Sequence, residues 1–113
     1  MKEGVYVAAF SAASSKEKKK EYETFGRIND ATRGVLRIGS AALSLAYLAC
    51  GRIDGFWAKN LFPWDLAAGI ILVKEAGGEI SSGKGDPYKF KDQLLVASNG
   101  LIHNPLVDIL SEL

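Results

Sequence analysis

A single cysteine, Cys50, excludes any disulfide within the chain. It ends the apolar run at residues 46–50, which predicts a buried, unreactive thiol. A lone cysteine is also compatible with a reducing compartment, so a cytoplasmic location is expected. A dominant charge of one sign is missing too. The formal net charge is +1, so no overall field draws nucleic acid or an anionic membrane, and neither is expected as a partner. No apolar stretch reaches the roughly 20 residues of a membrane span. Met1-Lys2-Glu3-Gly4 leads into only a short apolar run, so no signal peptide is expected either. His103 is the one histidine, with no second His or Cys at ligand spacing, so it is expected to cap a helix or lie on the surface. Internal repeats and low-complexity segments are absent.

What is present is an ordinary globular balance, 48% hydrophobic and 24% charged over 113 residues. That size and composition predict one domain, residues 1–113, with a real core and a small stability margin. Val5-Tyr6-Val7-Ala8-Ala9-Phe10 reads as a buried strand. Ser14-Ser15 offers an N-cap for a helix over residues 16–33, with Tyr22, Phe25, Ile28 and Ala31 as its apolar face. Val35-Leu36-Arg37-Ile38 is a second strand. Residues 41–50 read as a buried helix, capped by Ser40 and closed by Gly51. Residues 53–59 return to a strand around Phe56 and Trp57. Pro63-Trp64-Asp65 interrupts it, and residues 66–76 form a helix with Asp65 at its N-terminus and Gly77-Gly78 beyond its end. A brief strand at 79–81, an exposed loop at 82–91, a buried strand at 94–97 and a last helix capped near Asn104-Pro105 and running to about residue 113 complete the chain. Strands and helices alternate along nearly the whole chain. The alternation predicts an α/β domain, a sheet of about five strands with at least three helices covering both faces.

Several local features have plain explanations. Lys16, Lys18, Lys19 and Lys20 alternate with Glu17, Glu21 and Glu23, which predicts a solvated helix face with Glu–Lys pairs. Gly83-Lys84-Gly85 lacks P-loop spacing and reads as a turn. Phe56, Trp57, Phe62 and Trp64 are either hidden core or the seam to another domain. Asp65 before a helix suits an N-cap, and so does Gly39-Ser40 before an Ala-rich helix.

Three segments carry more than local meaning. The first is Arg37-Ile38-Gly39-Ser40-Ala41-Ala42-Leu43, continuing to Gly51-Arg52-Ile53-Asp54-Gly55-Phe56-Trp57. The second is Pro63-Trp64-Asp65-Leu66-Ala67-Ala68-Gly69 with Glu75-Ala76-Gly77-Gly78. The third is Ala97-Ser98-Asn99-Gly100 followed by Ile102-His103. In this order they resemble the C-terminal half of the inositol monophosphatase family, including its bacterial extragenic-suppressor-like members. The resemblance covers residues 34–113.

The resemblance implies a layered αβα domain with a mixed sheet, as in the C-terminal domain of that family's sugar-phosphatase fold. It implies a magnesium-dependent phosphomonoesterase acting on inositol monophosphate or a related sugar or nucleotide phosphate. Asp65 matches a magnesium ligand of the family. Gly39, Ser40 and Ala41 match a substrate-contacting loop, and Trp64 would wedge the turn beside it. The family's remaining ligands, a Glu and an Asp-Pro-(Ile/Leu)-Asp-Gly-Thr segment, belong to its N-terminal half and have no counterpart here. One carboxylate holds magnesium poorly. The chain alone is therefore expected to bind Mg2+ weakly or not at all and to be inactive until that missing half is supplied. Without its partner it is expected to be a homo-oligomer or a sticky monomer, with the aromatic segment of residues 56–64 near the contact. Ala58 stands where many relatives carry a Glu that contacts an inositol hydroxyl, and Ser44 where many carry Asp. A different class of function, a non-catalytic binding or regulatory domain descended from such a phosphatase, fits the same residues.

Overall fold

The computed structural model describes residues 4–9, 15–36, 40–59, 61, 63–89, 92 and 94–110, with backbone alone at residues 9, 15–18, 63 and 65. Phe10, Ser14, Arg37, Ile38, Gly39, Phe62 and residues 111–113 lie outside the described residues. The elements run β1 (Val5–Ala9), α1 (Ser15–Ala31), β2 (Gly34–Leu36), α2 (Ala41–Ala49), β3 (Gly55–Lys59), α3 (Pro63–Glu75), β4 (Glu79–Ser82), β5 (Leu94–Ser98) and α4 (His103–Leu110). The five strands form one mixed sheet in the order β2-β1-β3-β5-β4. β1 is parallel to β2 and to β3, whereas β5 is antiparallel to β3 and to β4.

Period-two alternation along the central strands sends side chains into two cores, one on each sheet face. Val7, Phe56, Ala58, Leu95 and Ala97 pack with Leu45 and Leu48 of α2 and with Leu66 and Val73 of α3. Tyr6, Ala8, Trp57, Leu94 and Val96 point the other way, against Ile28 of α1 and Leu106, Val107 and Leu110 of α4. The result is the expected αβα layering. Phe56 and Trp57, adjacent in sequence, anchor opposite cores.

α2 and α3 lie side by side on one face, and their contact depends on Gly69. A Cβ there would fall 2.5 Å from Leu45 Cδ1, closer than packed atoms approach. Ser40 caps α2 as expected, its hydroxyl accepting from the Leu43 N–H at 3.1 Å. Gly51 follows the helix at φ +83, the left-handed conformation of a C′ glycine.

Several expectations need correction. The buried face of α1 is Glu21, Thr24 and Ile28, while Tyr22 and Ala31 are exposed. Lys59 Nζ comes within 3.8 Å of Glu21 Oε1, an opposite charge beside the buried carboxylate. Cys50 is exposed, because the apolar run ends at the helix C-terminus where the chain turns outward. α4 begins at His103, so Asn104 and Pro105 lie inside its first turn, not before it.

His103 is neither a surface residue nor an ordinary cap. It is 3% exposed and ties α4 to both strands of the β4–β5 pair. Ser81 Oγ lies 2.7 Å from Nε2 and Ser98 Oγ lies 2.7 Å from Nδ1. The surrounding bonds assign the tautomer. The Ser81 hydroxyl donates to Ser82 O at 2.9 Å, so it accepts from Nε2–H. Ser98 Oγ accepts from the Gly100 N–H at 3.0 Å and donates to Nδ1. A second ring proton would break this chain. Burial accordingly lowers the imidazole pKa below its usual 6.5, opposed by the Glu79 carboxylate 3.5 Å from Nε2. The folded state therefore binds fewer protons than the unfolded chain. The bridge's contribution is complete above the unfolded value and is lost as pH falls through the lower folded value. His103→Asn should cost about 2 kcal/mol at pH 7.5. In urea titrations the gap to the unmodified chain should narrow on going to pH 5; a gap independent of pH would refute this account.

Candidate functional site

Because β1, β2 and β3 are parallel, their carboxyl ends share one edge of the sheet. β2 leads from that edge into α2, and β3 leads from it into α3. Ser40-Ala41 and Trp64-Asp65, 24 residues apart, therefore open two neighbouring helices at the same edge. Open α/β sheets bind ligands outside the carboxyl ends of parallel strands, where connections diverge to either side. Here β1 is followed by its neighbour β2 on one side, and the next crossover carries the chain to β3 on the other.

The first turn of α2 supplies donors. Ser40, with φ −137 and ψ 117, stands just outside the helix. Its hydroxyl takes the Leu43 N–H, and its carbonyl takes the Ser44 N–H at 3.0 Å. The Ala41 and Ala42 N–H groups have no intrahelical acceptor by construction of the helix and face outward from its positive end. Such a pair suits an anionic oxygen. Gly39, expected in the same loop, lies outside the described residues.

Asp65 is the third residue of α3, since the helix starts at Pro63 and not after Asp65. Proline at the first helical position is favoured because its missing N–H has no partner to lose. An N-cap must precede the helix with a non-helical backbone, so the capping reading of Asp65 does not apply. A carboxylate in the first turn remains favoured by the helix dipole. The Asp65 side chain lies outside the described residues. Trp64 beside it is 77% exposed, so its ring does not wedge the turn by burial within this chain. Ala58, one residue before the end of β3, is 1% exposed under α2 and α3.

Among the described residues, no three His, Cys, Asp or Glu side chains gather as the donors of a metal would. Nor is any helix among the described residues long and apolar enough to cross a membrane.

Of the aromatics read as core or seam, Phe56 and Trp57 are core, while Trp64 belongs to an exposed apolar face. α3 presents Trp64, Ala67, Ala68, Ile71 and Leu72 to solvent, and α2 adds Ala42 and Leu43. The spacing puts the α3 residues on one face of the helix, opposite Leu66 and Val73 in the core. A helix layer apolar on both faces is built to be covered on both.

Comparison with known proteins follows the same lines. Residues 2–113 match the profile of the inositol monophosphatase family. An inositol-1-monophosphatase of Synechocystis is 40% identical over 105 residues, which cover 93% of this chain and 37% of that protein. The structure of an inositol monophosphatase from Anabaena superposes with a TM-score of 0.89 at 38% identity, covering 99% of this chain and 46% of the other. An extragenic suppressor protein suhB from Bartonella henselae superposes with a TM-score of 0.89 at 33% identity, covering 98% and 43%. The chain thus spans less than half the length of each. Family match, identity and fold agree, and the chain belongs to the inositol monophosphatase family.

Proposed function

We propose that this chain is the C-terminal part of a magnesium-dependent phosphomonoesterase acting on inositol monophosphate or a related sugar or nucleotide phosphate, and that it is inactive alone. The observation that carries the proposal is the shared sheet edge. It places the paired N–H groups of Ala41 and Ala42 and the first-turn Asp65 at the openings of two adjacent helices. In this reading the Gly39-Ser40-Ala41 loop binds the substrate, and Asp65 is the one magnesium ligand this chain contributes. The other ligands and the phosphate-holding amides come from an N-terminal half. That half packs on the apolar α2–α3 face, beside the edge that carries the site. The partial coverage of the relatives supports this division, and so does a face that offers Trp64, Ile71, Leu72 and Leu43 to solvent. Left uncovered, the same face drives self-association.

The test is complementation. The N-terminal remainder of the Synechocystis relative is added to this chain, and phosphate release from inositol monophosphate and an aryl phosphate is followed with millimolar magnesium. The expected result is background release from each part and clear turnover from the mixture. A stable complex without turnover would favour the non-catalytic binding domain. Robust turnover by this chain alone would overturn the proposal, because it requires a full site built from these residues or from copies of them.

A further inference from the structure

Ser44 is 1% exposed, within the first turns of α2, and its hydroxyl donates to the Ser40 carbonyl at 2.7 Å. The Ser44 N–H donates to that same oxygen at 3.0 Å. The carbonyl that opens the helix thus accepts two bonds from one residue. Ser40 C=O and Ala41 N–H belong to a single planar peptide unit and point in opposite directions. Two donors fixing the carbonyl inward therefore fix the Ala41 N–H outward, towards the sheet edge. The other side of the same turn is held by Ser40 Oγ on the Leu43 N–H. The buried Ser44 hydroxyl spends its proton on this carbonyl, whereas Ser40 Oγ uses only an acceptor site on the Leu43 N–H.

We propose that Ser44 is a positioning residue for substrate binding: its hydroxyl locks the Ser40–Ala41 peptide so that the Ala41 N–H is aimed at an anionic or hydroxyl oxygen of the phosphomonoester. The inference rests on the reading of this edge as the substrate site. It adds a residue that touches no substrate and acts only through a peptide plane. Loss of the hydroxyl leaves the Ser44 N–H as the remaining donor on that carbonyl, so the Ala41 amide is held by one bond instead of two. A donor that meets substrate and transition state alike affects binding more than turnover.

The experiment uses the complemented enzyme. Ser44→Ala removes the hydroxyl with little change of volume and keeps a good helix former. It should raise KM and the inhibition constant of inorganic phosphate about fivefold each, with kcat within about twofold. Ser44→Thr retains a hydroxyl at reach of the same carbonyl and should restore both constants even where its extra methyl lowers the melting temperature. A merely structural serine would show the opposite pattern, with the melting temperature moved by Ser44→Ala and KM and phosphate inhibition unmoved; that result overturns the assignment. No turnover from the complex containing the unmodified chain would overturn the site reading itself, and the assignment with it. Turnover with an unmoved KM would overturn the assignment alone.

Discussion

Asp65→Asn should reduce phosphate release by the complemented enzyme by a factor on the order of 10³ or more, to near background. An amide oxygen is neutral and cannot stand in for the carboxylate that a hard divalent cation prefers. The same substitution should hardly affect folding of the chain. Asp65 is third in α3, where its charge can gain at most about 1 kcal/mol from the helix dipole. It is not the residue that caps the helix, so no cap is lost. A large loss of activity with a small shift in the urea midpoint is the signature of a ligand. Turnover retained within tenfold would refute the role proposed for Asp65. A collapse of stability in step with activity would make it a structural residue instead.

The architecture was legible because the strongest signals are local and repeat along the chain. Among the described residues, Val, Ile and aromatic runs separated by capped Ala- and Leu-rich segments produced five strands and four helices in the expected order. Ser40 and Gly51 marked the ends of α2 through their own chemistry, a hydroxyl acceptor and a tolerance for positive φ. Periodicity misled where a polar residue is buried with a partner remote in sequence. Tyr22 looked like core and Glu21 like surface, because the ion pair to Lys59, 38 positions away, cannot be seen along the helix. His103 looked isolated because its partners Ser81 and Ser98 are ordinary strand residues until the sheet brings them together. Cys50 was misplaced by a different route: the hydropathy of a run does not say where the helix turns outward.

The candidate site was legible in part. The motif residues announced themselves, but their meeting at one edge depends on the parallel pairing of β1 with β2 and β3. Nothing in the spacing of Ser40 and Asp65 requires that pairing. The pair of hydrogen bonds from Ser44 to the Ser40 carbonyl was invisible for the same reason that it works: a buried serine in a helix looks unremarkable until its acceptor is known to open the helix at the site.

Ala58→Glu tests the boundary between fold and specificity. The residue resemblance marks this position as one where a carboxylate would favour inositol, so in the complemented enzyme the substitution should shift preference towards inositol phosphate. In the chain alone its effect should be on folding. Ala58 is 1% exposed, paired across the sheet with Ala9 and Leu95, and its side chain faces the core beneath α2 and α3. A carboxyl group placed there meets Phe56, Leu66 and other apolar side chains of that cluster instead of water. Burial without a charge partner favours the protonated form and raises the pKa of the new group above its unfolded value of about 4.3. The sign follows from linkage. The folded state binds the proton more tightly than the unfolded one, so the penalty is smallest below the unfolded pKa and grows as pH rises through the raised folded value. At pH 8 the loss should be about 3 kcal/mol or more, a large share of the stability of a domain this size. At pH 4 it should shrink towards the cost of overpacking, roughly 1–3 kcal/mol. Urea unfolding of both chains at the two pH values measures it. A substitution that costs less than about 1 kcal/mol at pH 8 would mean that the position opens to solvent at the sheet edge. In that case the carboxylate could reach a substrate without disturbing the core.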